Sequence, residues 1–270
     1  MRTRLAVLVI GGCVTVGVTA TCGSAGGQED APIQAIGRTD ENSRIAHAQL
    51  LEKARTGRID LYFEGDSITR RWGATDYPDL LADFRESFFG WNAANFGWGG
   101  DTTRNVLWRL EYGELDDVHP RVIVLLAGTN DVGSRPPADE AAGNRLVDEV
   151  SGGLGAILDR MREKAPGATI ILMGLFPRND NPAALPVIRR INARLAALAD
   201  GDRVRYLDIG GRLADADGRL RQEVSGDGLH LSRAGYQIWA GALRPILLEL
   251  LGPPSEEDLA PPPTGDPSAR

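Results

Sequence analysis

Residues 122–127, Val122-Ile123-Val124-Leu125-Leu126-Ala127, form an unbroken apolar run that stops at Gly128. A strand with one wet face alternates apolar and polar residues, so a continuous run reads as a strand buried on both faces. Helices packed above and below a parallel sheet bury both faces in this way. Other strand-like runs share this punctuation: Leu61-Tyr62-Phe63 ends at Gly65, residues 93–96 end at Gly97, and further strands are predicted over 169–175 and 204–209. Between them lie segments of helical spacing. Ile45, Leu50 and Leu51 mark a helix capped by Asn42 or Ser43 and stopped by Gly57. Trp72, Tyr77, Leu80, Leu81 and Phe84 mark a partly helical stretch, and Val106, Leu107 and Leu110 mark a helix over 102–110. A long helix starts near residue 137 and ends before Pro166, another carries Ile188, Ile191, Leu195 and Leu198, and a last one spans 233–251 with a kink at Pro245. Strands alternating with helices define a three-layer α/β/α sandwich with a parallel sheet, one domain over residues 42–251.

The flanks differ in character. Residues 1–25 open with a basic Met1-Arg2-Thr3-Arg4, continue with an apolar, glycine-interrupted run and end in small residues, the pattern of an export signal rather than a membrane span. Cys13 and Cys22 both fall in or at the end of this region, so no disulfide is expected within the domain; Cys22 as a lipidated N-terminus is the minor alternative. Residues 26–41 read as a linker and the Pro-rich 252–270 as a disordered tail. A secreted or envelope-associated protein follows. The net charge of −7 argues against nucleic acid and anionic membrane as partners.

Ligands of a doubly wound sheet bind outside the carboxyl ends of the strands. Ser67, two residues beyond Gly65, is placed there and is the candidate nucleophile. A serine needs a base, and three histidines are available. His47 falls in the first helix and His119 precedes the third strand at the wrong pole, which leaves His230 in the loop before the last helix. Asp227, three residues upstream, can orient that imidazole, although Asp227-Gly228 also fits an ordinary turn and His230 a helix-start residue. Gly99 and Gly100 after the second strand permit close backbone approach, and Asn130 after the third offers a side-chain amide, so both could serve an oxyanion. A tight turn and a helix cap are their structural alternatives. All of these features follow successive strands and converge on one edge.

Gly65-Asp66-Ser67-Ile68, Gly100, Gly128-Thr129-Asn130-Asp131 and Asp227-Gly228-Leu229-His230 resemble, in order, the four blocks of the GDSL or SGNH hydrolases. Residues 95–110 further resemble the catalytic subunits of platelet-activating factor acetylhydrolase and their bacterial relatives. The resemblance covers about 44–251 and implies a flavodoxin-like sheet. It implies Ser67, Asp227 and His230 as a catalytic triad, with an oxyanion hole of the Ser67 and Gly100 amides and the Asn130 side chain. Glu64 departs from it, since relatives often carry an apolar residue there.

The expectation is a serine ester hydrolase that needs no metal or cofactor and acts on a small-molecule or carbohydrate ester. The acyl group is expected to be short, because Trp98 beside the oxyanion glycines should limit its size; Trp72 could also line a cleft, and Trp108 reads as core. An O-acyltransferase using the same residues and a non-catalytic carbohydrate-binding domain are the rival readings. No Gly-x-Ser-x-Gly elbow, phosphate loop or His-Glu-x-x-His helix competes.

Overall fold

The computed structural model describes residues 33–269, so the expected export signal, with Cys13 and Cys22, lies outside the described residues. Five strands, β1 (Leu61–Gly65), β2 (Ala93–Asn95), β3 (Val122–Leu126), β4 (Thr169–Met173) and β5 (Val204–Leu207), form one sheet in the order β2-β1-β3-β4-β5. Every neighbouring pair is parallel. Parallel neighbours need crossovers, which is why helices intervene. In chain order they are α1 (Glu41–Ala54), α2 (Ser67–Gly73), α3 (Pro78–Phe88), α4 (Thr103–Glu111), the short α5 (Thr129–Val132), α6 (Glu140–Lys164), α7 (Leu185–Leu198), the short α8 (Gly210–Leu213) and α9 (Arg233–Leu251).

The two faces of the sheet are buried in alternation. Phe63, Val124 and Ile171 join Trp72 of α2, Phe84 and Phe88 of α3 and Trp239 and Leu243 of α9 in one core. Tyr62, Ile123 and Ile170 join Leu50 of α1, Leu110 of α4, Leu154 of α6 and Ile191 of α7 in the other. This is the three-layer α/β/α sandwich expected from the sequence.

Local differences have local causes. The partly helical stretch after Ser67 splits into α2 and α3, because Pro78 lacks an N–H and sits in a first turn. Asp40, not Asn42 or Ser43, caps α1, its carboxylate accepting from the Ser43 amide at 2.8 Å. Helix α9 runs on through Pro245; the carbonyl left without a partner belongs to Gly241, which is exposed and so can be hydrated.

Both flanks of the domain are packed where a linker and a disordered tail are predicted. Residues 33–40 lie on α4: the Ile36 amide donates to the Arg104 carbonyl at 3.0 Å, and Asn105 Nδ2 donates to the Ile36 carbonyl at 2.7 Å. Gly37 allows this approach, since a Cβ there would fall 2.6 Å from the Trp108 ring. The tail docks as both donor and acceptor: its Ser255 amide donates to the Gly90 carbonyl at 2.9 Å and its Leu259 amide to Asn92 Oδ1 at 2.7 Å. Its Leu259 carbonyl accepts from the Arg58 amide at 2.8 Å, Asp258 accepts from the Gly90 amide at 2.7 Å, and the Thr264 carbonyl accepts from the Thr75 amide at 3.1 Å. It thereby covers edge strand β2, where Pro261, Pro262 and Pro263 close a cavity of about 240 Å³ together with Phe84, Phe88 and Ala94. Because prolines are already restricted in the unfolded chain, ordering them loses little entropy.

A chain ending at Gly252 is expected to lose stability on the order of 2–4 kcal/mol, with Tm lower by about 5–10 °C, from the bonds and apolar cover removed. A melt unchanged by this truncation would show that the tail contributes nothing to the fold.

Candidate active site

The sheet reverses its winding between β1 and β3, and the chain leaves both strands through glycines. Gly65 has φ +155°, and a Cβ on it would lie 2.1 Å from the Leu126 carbonyl oxygen, so no side chain fits where β1 meets β3. Asp66 caps α2 by accepting from the Ile68 amide at 2.9 Å, which makes Ser67 the first helical residue. Its N–H therefore has no intrahelical acceptor. Burial pushes the Asp66 carboxyl up to about 7.

Ser67, His230 and Asp227 form one hydrogen-bonded chain. His230 Nε2 lies 2.9 Å from Ser67 Oγ, and His230 Nδ1 lies 2.7 Å from Asp227 Oδ2. An ionised carboxylate only accepts, so Nδ1 carries the ring proton and Nε2 is free to receive the serine's. Burial works against ionisation of Asp227, but hydrogen bonds from the His230 side chain and from the His230 and Leu229 amides outweigh it and hold the carboxyl at about 2. Burial lowers the His230 imidazole below its ordinary value of 6.5, opposed by Asp227 and assisted by the nearby Arg71 cation.

The loop after β2 runs past Ser67. The Trp98 amide donates to the Gly65 carbonyl at 2.9 Å, a Cβ on Gly99 would lie 3.9 Å from Ser67 Cβ, and Gly100 takes φ +81°. Among the described residues, the Gly100 amide donates to no protein acceptor. Asn130, in α5, donates one Nδ2 hydrogen to the Asp101 carbonyl at 2.8 Å, and among the described residues the other meets no acceptor. Ser67, Gly100 and Asn130 thus stand together at the carboxyl edge of the sheet.

Trp98 is placed differently from its expectation. It is 6 % exposed, with the Arg70 guanidinium 4.8 Å from its ring centroid and that of Arg109 at 5.9 Å. Those cations flank the ring and hold it inside the protein, where it has little solvent-facing surface to offer a substrate. Trp72 is wholly buried in the core, and Trp108 stacks on Tyr112 at 4.6 Å.

Two further residues brace the site. Arg178, 4 % exposed, donates to the Thr129 carbonyl at 2.6 Å and so fixes the turn that carries Asn130. The Asn179 amide donates to the Gly228 carbonyl at 2.7 Å and its side chain is bonded to both backbone groups of Leu220, so it backs the Asp227–His230 loop. Their only sequence signal is the polar run Arg178-Asn179-Asp180-Asn181 directly after a strand.

A hydroxyl, an imidazole and a carboxylate aligned beside spare amide donors at the switch point of a doubly wound sheet define a site of the acyl-hydrolase class. The family model of the GDSL-like lipase/acylhydrolases matches residues 63–238. The chain is 34 % identical over 222 residues to the platelet-activating factor acetylhydrolase IB subunit alpha1 of Bos taurus, which covers 82 % of this chain and 88 % of that one. A Streptococcus pneumonia structure described as a candidate platelet activating factor superposes with TM-score 0.61 at 26 % identity, covering 76 % of this chain and 92 % of that one. A GDSL-like lipase from Bacteroides thetaiotaomicron shares the fold with TM-score 0.59 at 19 % identity, over 76 % and 97 % of the two chains. The chain belongs to the GDSL-like lipase/acylhydrolase family and is a hydrolase acting on esters.

In a histidine NMR titration, His230 is expected to titrate below 6.5, and lower still in Asp227→Asn, since the carboxylate is what favours the charged ring. An upward shift in that variant would contradict the electrostatics described here.

Proposed function

We propose that the protein hydrolyses short-chain acyl esters, acetyl esters first among them, of carbohydrate or lipid through an acyl-enzyme on Ser67. The observation that carries this reading is the Ser67–His230–Asp227 chain, at 2.9 and 2.7 Å, beside the Gly100 amide, which has no acceptor among the described residues. Ser67 Oγ attacks the ester carbonyl carbon while His230 Nε2 takes its proton. Negative charge gathers on the carbonyl oxygen, where the Ser67 and Gly100 amides and Asn130 Nδ2 donate to it. The intermediate collapses, the alcohol leaves with the proton from Nε2, and water repeats the sequence on the acyl-serine. Asp227 stays ionised throughout, because its carboxyl is held at about 2.

With Trp98 buried, support for a short acyl group comes from the acetylhydrolase named among the relatives. The reading as an exported enzyme rests on the basic-then-apolar residues 1–25.

The test is hydrolysis of p-nitrophenyl esters from acetate to palmitate. Acetate and butyrate are expected to be the best substrates, and Ser67→Ala and His230→Ala to lower kcat by roughly 10³-fold or more with little change in KM. Rates should fall on acidification, as His230 gains the proton that it must accept from Ser67, with a midpoint below 6.5. Turnover that survives in Ser67→Ala, or a preference for palmitate, would overturn the proposal.

A further inference from the structure

The segment before α1 reaches the oxyanion loop through one side chain. Arg38 Nη1 donates to the Gly99 carbonyl at 3.1 Å and lies 3.5 Å from Asp101 Oδ1, while Arg38 Nε donates to Asp40 Oδ2 at 2.9 Å. The Gly99 carbonyl and the Gly100 N–H belong to one peptide unit. That unit is trans, so the two groups point in opposite directions. The loop has Arg38 on one side, where a Cβ on Gly100 would fall 2.9 Å from Nη1, and Ser67 on the other, where a Cβ on Gly99 would fall 3.9 Å from the serine Cβ. Drawing the carbonyl toward Arg38 therefore turns the N–H toward Ser67.

A peptide between two glycines has no Cβ to oppose its rotation by half a turn. Rotated, it would present a carbonyl oxygen where the developing oxyanion needs a donor. We propose that Arg38 is a positioning residue that locks the Gly99–Gly100 peptide with its N–H facing the reaction, so that residues 33–40 form a working part of the enzyme. The cation does more than hold: drawing charge from the carbonyl oxygen strengthens the N–H of the same amide as a donor. The guanidinium is itself fixed by Asp40, which also caps α1, and by Asp101, whose carboxylate is fully buried and also paired to Arg109. This assignment rests on the acyl-enzyme reading above.

The experiment compares wild type, Arg38→Ala, Arg38→Lys and Arg104→Ala by hydrolysis of p-nitrophenyl acetate and by the rate at which a fluorophosphonate labels Ser67. Arg38→Ala should lower kcat and the labelling rate about 10- to 100-fold, with KM within about threefold of wild type, because the lost interaction acts only as oxyanion charge develops. Arg38→Lys should fall between Arg38→Ala and wild type. Added ethylguanidine should restore part of the Arg38→Ala rate. Arg104→Ala, which among the described residues loses the contact of Arg104 Nε with the Gln34 carbonyl and leaves Arg38 in place, should match wild type. Arg38→Ala labelled and turning over at wild-type rates, or a loss that appears only in KM, overturns the assignment of Arg38. Should Arg38→Ala fail to fold, the lysine variant decides, and wild-type rates in it overturn the assignment equally. Absence of Ser67 labelling in wild type overturns the acyl-enzyme reading itself.

Discussion

The site depends on how closely β1 and β3 approach at their carboxyl ends. Gly65 pairs with Leu126, and the Leu126 carbonyl occupies the space that a side chain on residue 65 would need. Because the strands close to that distance, α2 begins with Ser67 beside the turn that opens α5 with Thr129 and Asn130. The loop after β2 is drawn into the same place by the bond from the Trp98 amide to the Gly65 carbonyl. Three strand ends thus supply a hydroxyl and the amide donors without any long side chain reaching across a gap. A rigid arrangement of this kind suits an oxyanion site, where donors must be in place before charge appears.

Beneath that edge lies a buried charge network. Arg109 pairs with Asp101, donates to Glu114 at 3.3 Å and reaches Ser43 Oγ at 2.8 Å, while His47 Nδ1 lies 2.7 Å from Glu114. Asp101 follows Gly100 directly and its carbonyl accepts from Asn130, so this ion pair anchors the Gly100 amide and the Asn130 side chain at once. Breaking a buried pair strands a charge at a cost of several kcal/mol, and such an anchor yields little to thermal motion. Glu64 belongs to the same network. Burial, reinforced by the charge of Glu114, pushes its carboxyl well above the ordinary carboxylate range, and Tyr62 and the Gly65 amide donate to it. A glutamate is therefore accommodated inside an otherwise apolar strand as a hydrogen-bonded group that resists ionisation.

The sequence made the architecture and the reacting residues legible because both are written locally. Apolar runs that stop at glycine mark strands and their carboxyl ends, and Ser67, Asn130 and His230 stand within a few residues of such marks. Trp98 was misread for the complementary reason. Whether an aromatic beside two glycines faces solvent or core depends on Arg70 and Arg109, which arrive from α2 and α4. Arg38 sits in a stretch with no period, and only the contact across 61 residues to Gly99 reveals its place. The tail shows the same limit, since composition reports its prolines but not that Arg58, Thr75 and Gly90 meet its acceptors and Asn92 one of its amides.

The two halves of the site are stabilised by different physics. The Gly100 and Asn130 amides rest on buried, mutually paired charges, whereas the Asp227 side chain is 49 % exposed and the loop that carries it faces solvent. Its orientation comes from a turn in which its own carboxylate accepts the Leu229 and His230 amides, and from Asn179 gripping Gly228. Hydrogen bonds within a turn need no low dielectric to set direction, so water and salt near Asp227 screen its field without releasing its aim. The imidazole between them is the partly buried element, 14 % exposed at its side chain, and links the solvent-facing carboxylate to the serine at the sheet edge. Burial lowers its basicity and favours the neutral ring, while the hydrogen bonds that Asp227 accepts keep that carboxylate ionised beside it.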